Sequence, residues 1–259
     1  RPVIDDPAIH TAIHVVGGIS PALEDVTRLL QAGKDVITAN KALLYEHGAE
    51  LFALAGQLKR TICFEAAIAG GIPIISAVNT ALTANRIVSI EAILNGTSNF
   101  ILTRMLDRRE TYDAVLAEAQ ARGYAEADPA MDVDGTDAAQ KLSILTQLSF
   151  GTRVSLRDIV RQGIQQIELL DLLVAAELGY RVKLLATSRL ANERLEVSVQ
   201  PTLVRANRAI GMTSGADNIV SIEGDAVGVI RLSGAGAGQM PTASAVVADV
   251  IDYATGRAA

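Results

Sequence analysis

Short apolar runs alternate with amphipathic stretches as far as Phe64, and this alternation limits the folds that the chain can adopt. The apolar runs have the length of strands, and the amphipathic stretches have the length of helices. Strands that are separated by single helices pair in parallel, because a right-handed helical crossover returns the chain to the same end of the sheet. The sequence therefore predicts a parallel α/β sheet, with strands at residues 9–16, 35–39 and 61–64 and helices at residues 21–32 and 46–58.

The rest of the chain has a different pattern. A strand predicted at residues 87–94 is closed by Asn95-Gly96, and helices are predicted at residues 98–107, 111–122, 136–150 and 167–178. Four β-like runs follow, at residues 182–188, 195–199, 218–223 and 227–232, before a glycine-rich turn and a last helix at residues 243–253. Repeated strands after helices predict a second domain of the α+β type.

The amino-terminal sheet lacks the glycine-rich turn with which a dinucleotide-binding sheet normally opens. That turn reads G-x-G-x-x-G and connects the first strand to the first helix. The nearest match, at residues 234–238, is followed by Gln239 where a small residue is needed, and it comes after strands instead of opening a strand–helix–strand unit. We therefore expect a sheet that begins partway through, with at least one such unit of ~30 residues missing.

Composition argues against several classes of function. Aromatic residues make up 3% of the chain, tryptophan is absent and the net charge is −6, so we expect no binding to nucleic acid or to acidic membranes. Apolar runs stay below the ~18 residues of a membrane span, and the first residues do not resemble a signal peptide. The single cysteine, Cys63, lies in the apolar run Thr61-Ile62-Cys63-Phe64, which predicts a buried thiol. It allows no internal disulfide, which predicts a cytoplasmic protein.

Residues 123–141, GYAEADPAMDVDGTDAAQK, gather carboxylates around one lysine. Asp137 and Lys141 are four residues apart in a predicted helix and therefore share one face. A site that binds an amino acid and moves a proton on its alcohol needs acidic groups and one base, and this segment supplies both. The simpler interpretation is an exposed ion pair worth only ~0.3–0.5 kcal/mol, beside loop carboxylates that are solvated or that form turns, as we expect for Asp128 and Asp134.

Two polar residues follow predicted strands of the parallel sheet. Lys41 comes after the second strand, where ligands of such sheets lie, although most lysines at such a position simply begin a helix in solvent. Glu65 comes after the third strand and before a turn rich in alanine and glycine. Such a turn can present backbone carbonyls to a hard cation, with the carboxylate balancing its charge, or it can be an ordinary satisfied turn. Both interpretations of Glu65 stay open.

Five blocks of the sequence resemble the homoserine dehydrogenase family, in the family's order and over nearly the whole chain. They are GKDVITANKALL at residues 33–44, FEAAIAGGIPIIS at 64–76, LNGTSNFIL at 94–102, GYAEADPAMDVDGTDAAQKLSIL at 123–145 and GAGAGQMPTASAVVADV at 234–250. The resemblance implies an α/β protein. It comprises a partial Rossmann-like dinucleotide-binding domain, at residues 1–72 and 236–259, and an α+β substrate-binding, catalytic and dimerisation domain at residues 73–235.

The resemblance also implies a catalytic centre. It makes Lys141 the proton donor and acceptor, with Asp137 as its partner, and it places Lys41 in contact with both the cofactor and the substrate. Glu126 would hold the substrate ammonium, and Asp132 would lie in the substrate pocket. Burial, or a second cation nearby, would favour the neutral amine that a lysine base needs.

The expected ligands besides the substrate are NADP or NAD and a monovalent cation, usually sodium. By resemblance, Gly17 and Gly238 contact the cofactor together with Lys41, although the glycines near Gly238 could equally form a flexible hinge. His14 stands where the family usually has an acidic residue. The cation would be held by Glu65 and the backbone carbonyls of Ile68, Gly70 and Ile72.

The implied activity is the NAD(P)-dependent interconversion of L-homoserine and L-aspartate 4-semialdehyde by hydride transfer, within threonine and methionine biosynthesis. The family forms dimers through the sheet of the substrate domain, so a homodimer or homotetramer is expected. Two alternatives stay open. The chain could be a catalytically inert fragment that binds an amino acid or mediates oligomerisation, because the loop that binds cofactor phosphates is not in it. A related dehydrogenase of another amino-acid semialdehyde fits the fold but explains the block around Lys141 less well.

Overall fold

The computed structural model describes residues 2–257, and the chain forms two compact units. The first unit combines Arg1–Ser76 with Ala237–Ala259, and the second is Ala77–Gly236. The predicted domains change at residues 72–73 and 235–236, and the functions assigned to them stay predictions. The predicted first domain also includes residues 1, 258 and 259, which lie outside the described residues.

A parallel sheet with the strand order β1-β2-β3 forms the centre of the first unit. In the register, Ile13 lies opposite Ile37, and Val36 lies opposite Ile62. The prediction of a parallel α/β sheet is therefore confirmed. The elements of this unit are α1 (Pro2–Asp5), β1 (Thr11–His14), α2 (Ser20–Gln31), β2 (Asp35–Thr38), α3 (Lys41–Leu58), β3 (Ile62–Cys63), a 3-10 turn (Glu65–Ala67), α4 (Ile74–Ser76) and α11 (Gln239–Ala254).

Two helices of the first unit begin earlier than the sequence predicted. Helix α3 begins at Lys41 instead of residue 46, because the side chain of Asn40 accepts the backbone N–H of Leu43 and so caps the helix. Helix α11 begins at Gln239 instead of residue 243, and Pro241 is tolerated because it lies in the first turn, where its missing N–H has no intrahelical partner.

The core of the first unit lies on β2, whose four residues are all buried. Leu29 and Leu30 of α2 and Leu43 of α3 are buried in the same unit. Burial of such a side chain stabilises the fold by ~1.5–3 kcal/mol. Cys63 is only partly buried, which corrects the expectation of a fully buried thiol. Burial and, to a smaller extent, the negative charge of Asp249 nevertheless raise the pKa of its thiol to about 12.

A six-stranded sheet with the order β5-β7-β6-β4-β8-β9 organises the second unit. All neighbours in it are antiparallel except β5 and β7. Its elements, after a π-helical turn at Ala77–Ala81, are β4 (Ile87–Ile93), α5 (Gly96–Arg108), α6 (Tyr112–Ala121), α7 (Ala130–Val133), α8 (Thr136–Phe150), β5 (Val160–Arg161), α9 (Leu169–Glu177), β6 (Tyr180–Ala191), β7 (Arg194–Arg205), α10 (Ala209–Met212), β8 (Asp217–Gly224) and β9 (Gly228–Ala235).

Strands β6 and β7 are longer than predicted, because a two-residue turn joins them directly. Asn192 and Glu193 both have positive φ angles, of 48° and 63°. Turns with two positive φ angles match the twist of the flanking strands, so pairing continues to the turn itself.

A cluster of buried residues from four strands and α10 forms one core of the second unit. Its members are Ile93, Leu185, Val204, Ile210 and Ile219. This core fixes the end of β4, which leads directly into the polar site described below. None of the helices within residues 2–257 is long and apolar enough to cross a membrane.

Candidate active site

Asn95 connects β4 to α5 and is the centre of a buried polar cluster. It is 4% exposed. Its Oδ1 accepts the N–H of Ser98 at 2.8 Å and so caps α5. Its Nδ2 donates to Asp132 Oδ1 and to Asp137 Oδ2, each at 2.9 Å. A single amide therefore fixes the start of a helix and the positions of two carboxylates; we call Asn95, Asp132, Asp137 and Lys141 the Asn95 cluster.

Lys141 completes this cluster from the first turns of α8. Its Nζ donates to Asp137 Oδ2 and to the carbonyl oxygen of Leu94, each at 2.9 Å. The side chains of Lys141 and Asp137 are only 14% and 10% exposed. The interpretation of this pair as an exposed ion pair is therefore wrong. An ammonium group has three donors, so two contacts fix the direction of Nζ and leave capacity for one more acceptor.

Asp132 lies on α7 and is held through its backbone as well as its side chain. The hydroxyl of Ser98 donates to its carbonyl oxygen at 2.8 Å, and the next carbonyl, of Val133, accepts the N–H of Ile164 at 2.8 Å. Burial raises the pKa of the Asp132 carboxyl, and the charge of Asp137 raises it further. The hydrogen bond from Asn95 and the charge of Lys141 act in the opposite direction.

The turn between α6 and α8 carries the remaining carboxylates. Asp128 Oδ1 accepts the N–H of Ala130 at 3.1 Å, and Asp134 Oδ1 accepts the N–H of Thr136 at 2.7 Å. The predicted roles of Asp128 and Asp134, in turn formation and at a helix start, are therefore confirmed. Glu126 is exposed. Its negative charge contributes to the raised pKa of Asp132, so the Glu126 carboxylate influences the Asn95 cluster electrostatically.

Two glycines allow the chain to approach closely at the base of α5. A Cβ at Gly96 would lie 2.5 Å from the carbonyl oxygen of Ala216, and a Cβ at Gly236 would lie 2.0 Å from the side chain of Asn218. No side chain larger than glycine fits at either position without a shift of its neighbours. Gly236 is therefore needed for close contact with Asn218, which corrects the interpretation of this turn as simply a hinge.

The carboxyl ends of β1 and β2 lie together in the first unit, and Asn40 joins them. Its Nδ2 donates to the carbonyl oxygens of Val16 and Gly18, at 2.9 Å and 2.7 Å. The same side chain caps α3, whose first residue is Lys41. Gly17 is exposed, and a Cβ there would meet nothing within 4 Å. Open backbone at this edge of a parallel sheet fits a bound dinucleotide.

His14 ends β1 and is buried. Within residues 2–257, neither of its ring nitrogens has a hydrogen-bond partner. Burial lowers the pKa of His14, and the charge of Asp25 opposes this shift only in part. The lowered pKa favours the neutral form of the His14 imidazole.

Gly238 and Glu65 occupy two further predicted positions in the first unit. Gly238 precedes α11 with a φ angle of 120°, which favours glycine. Glu65 is 5% exposed, and its two carboxylate oxygens accept the N–H groups of Ile75 and Ser76, each at 2.8 Å. Burial raises the pKa of Glu65, and these N–H donors partly offset the increase.

The turn after Glu65 was predicted to hold a cation through backbone carbonyls. Ala69 and Gly70 both have left-handed backbone angles there, with φ of 55° and 54°. The carbonyl of Ile72 already accepts the N–H of Ile74 at 2.7 Å. Among the residues that the structure describes, no group of three His, Cys, Asp or Glu side chains could hold a metal ion. Cation binding here would therefore depend on carbonyl oxygens such as those of Ile68 and Gly70.

Sequence reasoning found Asp132, Asp137 and Lys141, which the structure brings together in the second unit. It placed Lys41 and Gly17 at the edge of the parallel sheet, where the first unit has them. It missed Asn95 and Asn40 as functional residues. Both asparagines follow a strand and directly precede a helix, and this position is the signal of a capping residue that could have identified them.

A parallel α/β unit with open glycine backbone at its strand ends, in one chain with a buried lysine–carboxylate pair, is typical of a dinucleotide-dependent dehydrogenase. The family model described as homoserine dehydrogenase matches residues 73–251. The chain belongs to the homoserine dehydrogenase family. The chain's partial Rossmann-like unit and its mixed α+β unit agree with this membership.

Several relatives show the same similarity. The homoserine dehydrogenase of Neisseria gonorrhoeae is 46% identical over 246 residues, which cover 95% of this chain and 57% of the relative. A crystal structure of a homoserine dehydrogenase from Thiobacillus denitrificans is 49% identical with a TM-score of 0.93, over 96% of this chain and 58% of that one. A hyperthermophilic archaeal homoserine dehydrogenase, solved in complex with NADPH, is 30% identical with a TM-score of 0.82, over 94% and 72% of the two chains. The chain thus spans little more than half the length of the first two relatives.

Proposed function

We propose that this chain acts in the NAD(P)-dependent interconversion of L-homoserine and L-aspartate 4-semialdehyde, the step shared by threonine and methionine biosynthesis. The observation that carries this proposal is the position of Lys141 Nζ, at 2.9 Å from Asp137 Oδ2 within a buried cluster. A lysine that is held in this way has one donor left for a substrate oxygen. Membership of the family supports the choice of substrate.

The cofactor is NADP or NAD, and Gly17, Lys41 and Gly238 are the residues that would hold it. When bound, its nicotinamide supplies or accepts the hydride at C4 of the substrate. The complex of the archaeal relative with NADPH supports this cofactor class. The exposed, unfilled backbone at Gly17 leaves room for close approach.

Lys141 handles the proton in the proposed reaction. In the direction of reduction, Nζ donates a proton to the aldehyde oxygen as C4 becomes an alcohol; in the direction of oxidation, Nζ accepts the proton from the hydroxyl. Asp137 and the carbonyl of Leu94 orient Nζ, and Asn95 holds Asp137 in place. Because both partners are already positioned, the transfer requires little reorganisation.

The substrate's ammonium group is held by carboxylates. Glu126, which is exposed, would accept its N–H donors, and Asp132 would form the inner wall of the pocket. Lys41 contacts the substrate as well as the cofactor. We expect Glu126→Gln to weaken the binding of L-homoserine about tenfold, with little effect on stability because the residue is exposed.

Calorimetry on this chain distinguishes the dehydrogenase from the alternative, an inert module that binds an amino acid or mediates oligomerisation. Titration with NADPH and then with L-homoserine should give binding of both ligands if the chain acts as an enzyme. Binding of L-homoserine without NADPH would favour the amino-acid-binding module. Binding of neither ligand would argue against the dehydrogenase and against the amino-acid-binding module, and would leave oligomerisation as the function.

A monovalent cation such as sodium would bind at the turn after Glu65. The carbonyls of Ile68 and Gly70 would supply hard oxygen ligands, together with that of Ile72, which also accepts the N–H of Ile74, and the carboxylate of Glu65 would supply the balancing charge. Thermal unfolding in sodium chloride should then occur at a higher temperature than in an equal concentration of N-methylglucamine chloride. Glu65→Gln should abolish this difference, and an equal Tm in both salts for the unchanged chain would contradict the site.

A cytoplasmic homodimer, or a homotetramer built from it, is the proposed assembly. The supporting observation is a groove of about 770 Å³ on the sheet of the second unit, lined by polar residues of four strands. Ser89 donates to Glu223 at 2.7 Å there, and Thr187 and Ser198 are hydrogen-bonded at 2.8 Å. Ser198→Arg should convert the dimer to a monomer in sedimentation experiments. An unchanged mass would exclude this face of the sheet as the dimer interface.

A further inference from the structure

A second buried lysine lies apart from the Asn95 cluster. Lys183 is on β6 and is 4% exposed. Its Nζ donates to Asn99 Oδ1 at 2.9 Å and to the carbonyl oxygen of Thr213 at 2.6 Å. We call these three residues the Lys183 cluster. Both acceptors are neutral. Within residues 2–257, the third N–H of this ammonium has no acceptor, and Nζ has no carboxylate partner at ion-pair distance.

A buried cation that has only neutral partners is costly to the fold. Burial and, to a smaller extent, the charge of Arg181 lower the pKa of Lys183 to about 8, although the charge of Asp107 acts in the opposite direction. Near neutral pH the amine still carries its proton. Lys183 and Arg181 therefore give this part of the second unit an excess of positive charge, and an anion bound here would relieve it.

A cavity of about 250 Å³ lies beside Lys183. Its apolar walls include Leu102 and Leu172, which are buried residues of α5 and α9. Its polar lining includes Arg181 and Thr103. The hydroxyl of Thr103 is buried and has no hydrogen-bond partner in the described part of the chain. Apolar walls with a few polar groups are the usual construction of a small-molecule site.

We propose that this cavity binds a small carboxylate, with Lys183 and Arg181 as its cationic partners and the Thr103 hydroxyl as a further donor. The volume is below the ~300–1,000 Å³ of sites for drug-sized ligands, so the ligand has only a few heavy atoms. Asp107 also lines the cavity and is exposed, so it can accept an N–H from a ligand that carries an amine. The site does not depend on the proposed dehydrogenase activity.

Lysine-selective NMR on the whole chain tests this site directly. The lysines are Lys34, Lys41, Lys59, Lys141 and Lys183, so a chain labelled with ¹³Cε-lysine gives a simple spectrum. Titration with propionate at constant neutral pH should shift the Lys183 resonance saturably, with a Kd on the order of 1 mM. The assignment comes from its absence in Lys183→Met. A Lys183 resonance that stays unchanged while propionate is added would overturn the proposal.

Calorimetry with propionate on matched variants separates the cavity from general surface charge. Lys183→Met should weaken binding at least about tenfold, and Arg181→Gln should weaken it several-fold, because each removes a charged donor. Arg231→Gln is the control, since Arg231 is exposed on β9 and does not line the cavity, and it should bind propionate normally. Equal losses in Arg181→Gln and Arg231→Gln would overturn the site. Tighter binding of glycine than of propionate, lost in Asp107→Asn, would support it and identify the ligand class as an amino acid.

Discussion

The Asn95 cluster and the Lys183 cluster are built on the same helix start but balance charge in different ways. Asn95 caps α5, and Asn99 lies in its first turns. Each asparagine belongs to a cluster that holds one lysine. In the Asn95 cluster Lys141 faces Asp137, whereas in the Lys183 cluster the lysine faces only an amide and a backbone carbonyl. The comparison teaches that a carboxylate partner neutralises and orients a buried lysine, whereas a buried lysine with only neutral acceptors keeps an uncompensated charge that can attract an anion.

The largest effect on stability is expected from the removal of Asn95. Asn95→Leu loses the cap of α5, worth ~1 kcal/mol, and leaves Asp132 and Asp137 without their shared donor, at ~1.5–3 kcal/mol for each charged hydrogen bond. We expect the free energy of unfolding, measured with urea, to fall by about 4 kcal/mol.

Two matched variants sharpen this prediction. Asn95→Ser keeps a capping hydroxyl but cannot hold both carboxylates, so its loss should be intermediate. Asn99→Leu removes the corresponding amide from the Lys183 cluster, where its oxygen serves one lysine, and should cost less than Asn95→Leu. A larger loss of stability for Asn99→Leu than for Asn95→Leu would contradict the expectation that the asparagine of the Asn95 cluster contributes more to stability.

The pH dependence of stability should differ between the clusters. The pKa of Lys183 is about 8 in the folded state, against an ordinary value of 10.5, because the residue is buried. Between these two pH values the unfolded chain binds more protons than the folded chain, so this group makes stability rise with pH. The rise should reach at most about 3 kcal/mol and should be absent from Lys183→Met, which is checked by urea unfolding at pH values from about 8 to 10.5. Parallel pH profiles of stability for the unchanged chain and for Lys183→Met would contradict the assignment of a buried charge to Lys183.

At acid pH the Asn95 cluster should have the opposite slope. The pKa of the Asp132 carboxyl is raised, mainly by burial. From the ordinary value upward, the folded chain therefore binds more protons than the unfolded chain, and this group makes stability fall as pH rises until its folded pKa is passed. Asp132→Asn should remove this slope, which is measured as the difference between the two urea-unfolding profiles in acid.

Replacement of each lysine by methionine gives the smallest of these effects on stability and the sharpest contrast. Lys141→Met removes one charged hydrogen bond from Asp137, which keeps its hydrogen bond from Asn95, and should destabilise the chain by about 2 kcal/mol. Lys183→Met removes a costly charge but leaves two acceptors unpaired, so its net effect should lie within about 1 kcal/mol of zero. Tm values from calorimetry check both; equal losses would mean that the carboxylate partner makes no difference.

Local patterns in the sequence predicted what local spacing determines. The alternation of strands and helices predicted that β1, β2 and β3 pair in parallel, and the four-residue spacing predicted the pairing of Asp137 with Lys141. The central residue of the same cluster, Asn95, was missed, because it contacts Asp132 and Asp137 across 37 and 42 residues of chain. No local pattern reports such a contact.

Two further misses have equally physical causes. The start of α3 depended on one hydrogen bond, in which the side chain of Asn40 accepts the N–H of Leu43, and helix propensity does not reveal it. Lys183 interrupts the apolar run from Val182 to Ala186 in β6, and a lysine in such a run is a signal of a buried charge that could have been used. Its partners Asn99 and Thr213 come from distant parts of the chain. The composition of this cluster could therefore be identified only from the fold.

The central claim is that Lys141 transfers the proton in the interconversion of L-homoserine and L-aspartate 4-semialdehyde. The most direct test compares Lys141→Ala with the unchanged sequence in steady-state turnover, with NADPH binding measured on both by calorimetry. The proposed mechanism predicts a loss of kcat of at least about 10²-fold to 10⁴-fold, the range for a general acid–base group, while the Kd for NADPH stays nearly constant. A Lys141→Ala variant that retains near-normal kcat would contradict the assignment of the proton to this lysine.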